Sequence, residues 1–236
     1  MLMKECKNSL GLSIMTGLIV LGLMMPIAVA NFKSYDRTVD VKGLCEKEVM
    51  ADKVIWPISF TVVGDDLLGI YNETDANIAT ITKFLTDGGL PESAITYSTP
   101  RISDKYAQEY GNNDRRFRYL SKSIITVCSE NVELVRKLMQ QQTTLLKKGI
   151  SLTENVWENP VQFKFEGLNE IKPEMIEEAT VNARAAAQKF AKDSGSKLGK
   201  IKSANQGTFT IADRDSNTPY IKTVRVVTSV TYYLKR

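Results

Sequence analysis

From Thr38 onward the apolar residues of this chain switch repeatedly between a period of two and a helical period, and that alternation limits the fold more than any other feature. Val54, Trp56, Ile58, Phe60 and Val62 fall on one parity, with Lys53, Pro57, Ser59 and Thr61 on the other. This predicts a strand with one buried face. Proline has no N–H for a ladder, so Pro57 predicts that the strand lies at an edge or is bulged. Tyr71, Ile78, Ile81 and Leu85 then give helical spacing, closed by Gly88-Gly89 and Pro91. Residues 95–102 and 117–128 read as a hairpin around the polar loop 104–116. Val132, Val135, Leu138, Met139, Leu145 and Leu146 form the next helix, ended at Gly149. Extended segments follow around residues 150–156 and 161–166. A third helix starts at Pro173, with Glu174, Glu177 and Glu178 complementing its N-terminus, and ends at Gly195. Two strands, about residues 199–212 and 221–234, close the chain, the second with Val224, Val226, Thr228, Val230 and Tyr232 on one parity. The order is ββα three times and a final ββ. Strand pairs joined by short connections imply largely antiparallel sheets and an α+β fold.

Residues 8–31 carry no charge. Their apolar stretch, residues 10–30, reaches the roughly 20 residues that a membrane-spanning helix needs and exceeds the usual signal-peptide core of about 7–15. Ala28-Val29-Ala30 offers a signal peptidase a cut after Ala30, and Pro26 would break the helix just before it. Residues 1–30 are therefore expected to be either a cleaved signal peptide or an N-terminal transmembrane anchor, with residues 31–37 a linker and residues 38–236 the folded domain. Both readings export that domain to the periplasm or cell envelope.

The chain of 236 residues contains no histidine. That removes Ser/His/Asp triads, Cys/His pairs and H-E-x-x-H zinc sites. Lys+Arg 31 against Asp+Glu 27 gives +4, with the signs interspersed. The densest basic cluster, Lys197, Lys200 and Lys202, reads as a solvated turn and strand start, so no nucleic-acid partner is expected. Asp213-x-Asp215-x-Asn217 opens like a calcium loop, but Thr218 stands where glycine is needed and Val224 where a glutamate is, which leaves a polar hairpin turn. No Gly-rich phosphate loop occurs. Asp65-Asp66 reads as a helix start or turn, and no metal or other cofactor is expected.

Cys6 lies in the basic N-terminal region, leaving Cys45 and Cys128 as the only pair in the exported part. They could form a disulfide, act as a redox pair, or both be small buried hydrophobes. Cys45 shares strand parity with Val39 and Val41, which favours burial. Lys47 would share its face and could activate the thiol. The loop 104–116, carrying Lys105, Tyr106, Tyr110, Arg115 and Arg116, is the best candidate for contact with a protein partner, because tyrosine and arginine are favoured at interfaces. Ala179, Ala183, Ala185, Ala186, Ala187 and Ala191 make the third helix small-faced, which suits close packing.

V-K-G at residues 41–43, Ala51-Asp52 before the alternating strand, G-G-L-P-E-S-A-I at 88–95, K-K-G-I at 147–150, N-A-R-A-A-A-Q-K-F-A at 182–191 and K-L-G-K-I at 197–201 together resemble the SIMPL domain family. The resemblance spans about residues 38–235. It implies an α+β fold, a periplasmic or envelope location like that of the family's outer-membrane immunogens, large homo-oligomers and a link to envelope or oxidative stress, with no catalytic residues to transfer. Family members carry V-x-G-x-G at the start, and Cys45 replaces the second glycine, which implies a different local geometry there. The function expected is that of a non-enzymatic, self-associating envelope protein. It would touch the membrane through residues 10–30 if these are retained. The alternatives are a thiol-dependent antioxidant using Cys45 and Cys128, and an adhesin or small-ligand carrier.

Overall fold

The protein, represented by a computed structural model, is described over residues 15–26, 29, 37–107, 116–153 and 158–235. Residues 15–26 form helix α1, about 18 Å long at 1.5 Å per residue. Among the described residues no helix is long and apolar enough to cross a membrane. Cys6, Ala28, Ala30 and the rest of residues 10–14 lie outside the described residues.

The fold is α+β with antiparallel sheets. The stretch read above as one domain divides into two compact units. One comprises Met1–Lys47, Ile171–Thr210 and Arg225–Arg236, the other Glu48–Glu170 and Ile211–Val224.

In the second unit, β2 (Lys53–Gly64) and β5 (Tyr119–Ser129) pair along their length, from Val54 opposite Ser129 to Gly64 opposite Tyr119. The parity read from the sequence holds, since Val54, Trp56, Ile58, Phe60 and Val62 are all buried. Helix α2 (Leu67–Asp87) packs on that face through Ile70, Thr74, Ile81 and Leu85, and α3 (Val132–Gln141) through Val132, Val135 and Leu138. Asp66 caps α2 by accepting a 2.7 Å hydrogen bond from the Gly69 N–H, while Asp65 accepts from the Arg118 N–H. Tyr71, read as part of the buried stripe, is exposed, and Ile70 takes its place. The expected single helix after β5 is interrupted at Gln142, giving α3 and the short α4 (Thr143–Lys147).

The strand expected at residues 95–102 is two short strands, β3 (Ile95–Tyr97) and β4 (Arg101–Asp104), both on β5. Pro100 cannot donate to the ladder, and Ser98 fills the gap with its own hydroxyl, which accepts from the Ile124 N–H at 3.0 Å. Of the extended pair expected at 150–156 and 161–166, only β6 (Gln162–Lys164) is a strand, and Leu152 makes a single bridge to Phe60. Residues 154–157 lie outside the described residues.

β2 is an internal strand, in the sheet order β3-β5-β2-β6, so Pro57 is not on an outer strand. The edge reading nevertheless holds locally. β6 covers residues 53–55, and the segment at Leu152 covers 59–61 through the bonds Thr153 N to Ser59 O and Thr61 N to Ser151 O. By strand alternation Pro57 faces the same side, in the uncovered gap between them.

In the other sheet, most of which belongs to the first unit, β9 (Ile221–Lys235) lies between β1 (Thr38–Met50) and β7 (Lys197–Gln206), with β8 (Thr210–Asp213) also paired to β9. The expected strand 199–212 is therefore interrupted. A side chain at Gly207 would fall 2.4 Å from the Val227 carbonyl oxygen, which marks a close backbone crossing at the break. Val224, Val226, Thr228, Val230 and Tyr232 are all buried, as their parity predicts.

Helix α5 (Leu168–Asp193) begins five residues before Pro173 rather than at it. The cause is Asp52, whose carboxylate accepts from the N–H groups of Glu166 and Gly167, the two residues just ahead of the helix, at 2.7–2.9 Å and fixes the chain where it enters the first turn. Met175, Ala179, Ala183, Ala187 and Ala191, spaced four apart, form the buried face of α5. The small-faced helix is thus a packing device, as its composition suggests.

Candidate functional site

The odd residues of β1 face α5 in order. Val41 packs with Ala183 and Ala187, and Gly43 lies against the α5 backbone at Ala179 and Ala183. Cys45 donates its thiol proton to Glu178 Oε2 at 3.1 Å, and Lys47 donates to Glu174 Oε2 at 2.7 Å. Asn182 adds a 2.9 Å bond from its amide to the Leu44 carbonyl. Glu174 and Glu178 therefore tie the helix to the sheet instead of capping its N-terminus.

Cys45 is buried, as its parity with Val41 predicts, and it is a free thiol. Burial first, and then the hydrogen bond and charge of Glu178, push that thiol up to about 11 from 9.0. Lys47 opposes the shift, but its ammonium is held by Glu174, which raises its own affinity for the proton. Cys45 is thus held as the neutral thiol, the opposite of a reactive thiolate. Its contribution to stability is complete below about pH 9 and disappears as the pH rises through about 11.

Cys128 is also free and is exposed on the outer face of β5, which corrects the reading of both cysteines as buried hydrophobes. It stands opposite Ile55. The chemical contrast between the two thiols is directly measurable. Iodoacetamide applied to the folded protein at pH 8 is expected to label Cys128 and to leave Cys45 unmodified, as read by peptide mass spectrometry. Equal labelling of both would contradict the described seam.

The loop after β4 has an ordered base. The Arg118 guanidinium donates to Asp104 Oδ2 from Nε and Nη2 at 3.1 and 3.0 Å, and the Lys105 N–H bonds the Arg118 carbonyl at 2.7 Å. The hydrogen bonds from Arg118, and after them the one from the Tyr106 N–H, hold the Asp104 carboxyl below the usual carboxylate range. Lys105, Arg116, Phe117 and Leu120 line a shallow, mostly apolar hollow of about 240 Å³, and Tyr106 is exposed beside it. Tyr110 and Arg115 lie outside the described residues. Asp215 accepts from the N–H groups of Asn217 and Thr218, making the region a polar hairpin turn between β8 and β9.

Two cavities border the second unit's sheet, the larger between β2 and the α3–α4 segment and the smaller over the outer face of β2, β4 and β5. The larger, about 680 Å³, opens beside Pro57 and is lined by Trp56, Ile58, Leu146, Leu152 and Val161. The smaller, about 340 Å³, includes Ser59, Thr61, Arg101 and Lys122. Neither was legible in the sequence, because both depend on strand register. Among the described residues no group of three or more His, Cys, Asp or Glu side chains could hold a metal ion.

Residues 39–232 match the SIMPL family, described as a protein of unknown function (DUF541). The chain belongs to the SIMPL family. No curated protein matches it. Among solved structures it is similar to an uncharacterised conserved protein from Listeria innocua, at 14% identity over 80% of this chain and 92% of that one, with a TM-score of 0.21. That score is too low to add to the fold.

The SIMPL motifs quoted from the sequence acquire structural roles. Gly43 of V-K-G and the alanines of 182–191 make the close approach of β1 to α5. Asp52 of Ala51-Asp52 fixes the chain where it enters the first turn of α5. Gly88 and Gly89 end α2, with Gly89 at φ +96°, a conformation that favours glycine. The close backbone approach falls at Gly43 and not two residues later, and Cys45 continues β1.

Proposed function

We propose that this SIMPL-family chain is a non-enzymatic, self-associating module of the cell envelope, exported with residues 1–30 either removed or kept as an anchor, and serving in envelope or oxidative stress. The observation that supports self-association is the state of the sheet edges. β7 is an outer strand of ten residues, exposed along nearly its whole length. A long exposed edge is a template for another strand. Its lysines 197, 200 and 202 guard against indiscriminate pairing, while the other outer strand, β1, carries Asp40, Glu46 and Glu48 together with Lys42 and Lys47. Pairing of β7 with β1 of the next copy is head-to-tail, an arrangement that closes into a ring when the rotation per copy allows it. The protonated state of Cys45 supports the non-enzymatic reading over the antioxidant one.

Light scattering on residues 31–236 is expected to give a mass several times that of one chain at micromolar concentration. Gly207 bonds toward β9, so alternation turns the Ala204 N–H to the free edge. Ala204→Pro should then weaken assembly about tenfold per contact, equivalent to ~1.4 kcal/mol, with little change in monomer unfolding. A monomer at every concentration tested would overturn the proposal.

A further inference from the structure

Residues directly opposite one another in an antiparallel pair share a face, with Cβ atoms about 4.5–5.5 Å apart. In the β4–β5 pair Arg101 stands opposite Lys122, and in the β5–β2 pair Lys122 stands opposite Thr61. A row Arg101–Lys122–Thr61 therefore crosses three strands on the outer face of the sheet. Two cations set directly against each other are mutually destabilising. Among the described residues neither side chain has an ion pair or hydrogen bond to relieve that repulsion. Elsewhere in this unit Asp104 is engaged by Arg118, Glu166 by Lys53 and Asp65 by the Arg118 backbone, while Glu158, at the border of the same space, has an interaction of its own.

The row borders a concave space of about 340 Å³. Ser59, which stands opposite Ile124 one register step along, adds a second hydroxyl on the same face. The Thr153 hydroxyl and the Asn159 amide complete a wall of neutral donors and acceptors. Glu158 also lines the space and supplies a carboxylate acceptor. Ser123, whose buried hydroxyl has no hydrogen-bond partner, belongs to the opposite parity and faces the helices, so it is not part of this set.

We propose that this outer face binds a small, hydroxyl-bearing organic oxyanion, with Arg101 and Lys122 on its charged group. An oxyanion between the two cations converts their repulsion into two charge-assisted hydrogen bonds, and arginine can grip it through two parallel N–H groups. Thr61 and Ser59 donate to the same group or its ester oxygen. Glu158 and Asn159 accept from the ligand's hydroxyls, which is how an acid and two cations serve one polar molecule. The volume lies at the lower end of the roughly 300–1,000 Å³ of small-molecule sites and exceeds what a bare phosphate would fill. This site is independent of the edge-strand association proposed above.

Isothermal titration of the full chain, kept in a mild detergent, tests the proposal with inorganic phosphate, glucose 6-phosphate and galacturonate, each against sodium chloride of equal ionic strength. Glucose 6-phosphate or galacturonate is expected to bind with a Kd below about 1 mM, and the comparison of the two decides between a phosphate and a carboxylate as the charged group. Inorganic phosphate is expected to bind more weakly than the tighter of them. Arg101→Ala and Lys122→Ala should each weaken binding at least about tenfold, while Lys189→Ala, on exposed α5 surface, should not. Without ligand, Lys122→Gln should raise the thermal midpoint by relieving the repulsion. The proposal is overturned if no probe gives heat beyond the chloride control, or if Lys189→Ala weakens binding as much as Arg101→Ala.

Discussion

Gly43→Ala is expected to destabilise the first unit by about 3 kcal/mol or more, at or beyond the upper end of ordinary overpacking costs. A methyl group there would fall 1.8 Å from the Ala179 carbonyl oxygen, 2.5 Å from the Ala183 nitrogen and 2.9 Å from the Ala183 Cβ. The two nearest obstacles are helix backbone, so no rotamer change can clear them. Helix α5 must retreat, and because its buried face is Met175 and four alanines, every contact along it loosens together. Two chemically unrelated ties, Lys47 to Glu174 and Cys45 to Glu178, would stretch with it. Urea unfolding followed by far-ultraviolet circular dichroism measures the loss. Adding Ala183→Gly should give little rescue, since it removes the methyl and leaves the backbone collision. A cost under about 1 kcal/mol would mean that β1 and α5 are farther apart than described.

Phe60→Ala is expected to cost about 4 kcal/mol in the second unit, within the ~3–5 kcal/mol typical of deleting a buried phenyl ring. Phe60 is 1% exposed and is among the largest fully buried side chains. It lies between Ile58 and Val62 along β2, with the small Ser123 opposite it on β5 and Leu152 on its other side, so Leu152 alone of these two cross-strand neighbours is large enough to lean into the space, and it fills only part of a phenyl ring's volume. Ser123 would offer entering water one hydroxyl, fewer than the two to four partners a buried water needs. The same denaturant titration reports the effect, and a change under about 1.5 kcal/mol would remove Phe60 from the core. Phe60→Leu should recover most of the loss, since the cavity is then much smaller.

What the sequence disclosed follows from which interactions are local. The buried faces of β2 and β9 were legible because alternation is a property of consecutive residues. The burial of Cys45 followed from the same rule applied to β1. The start of α5 was not legible, because Asp52, more than a hundred residues away, fixes the chain where it enters the first turn and lets the helix begin ahead of Pro173. Pro100 signalled a break that residues 95–102 alone did not force into view, since Ser98 and Ile124 meet only when β3 and β5 are paired. The partners of Cys45 and Lys47 lie on α5, at separations no spacing rule reaches. The row Arg101–Lys122–Thr61 is likewise a product of register, and a slip of one residue would send Lys122 to the helix side. The family motifs were legible as a pattern, but their purposes, a close backbone crossing at Gly43 and a clasp at Asp52, emerged only with the packing.

Pro57 carries a consequence for the life of the chain before it is folded. β2, with Val54, Ile55, Trp56, Ile58, Phe60, Val62 and Val63 in one short run, is the kind of segment that stacks with copies of itself. Until β6 and the Leu152 segment arrive from a hundred residues downstream, its second side stands open. An incoming strand that tried to zip along it would find a carbonyl at Pro57 but no N–H, and its ladder would stall midway. The residue that leaves a gap in the finished sheet acts during synthesis as a gatekeeper against aggregation.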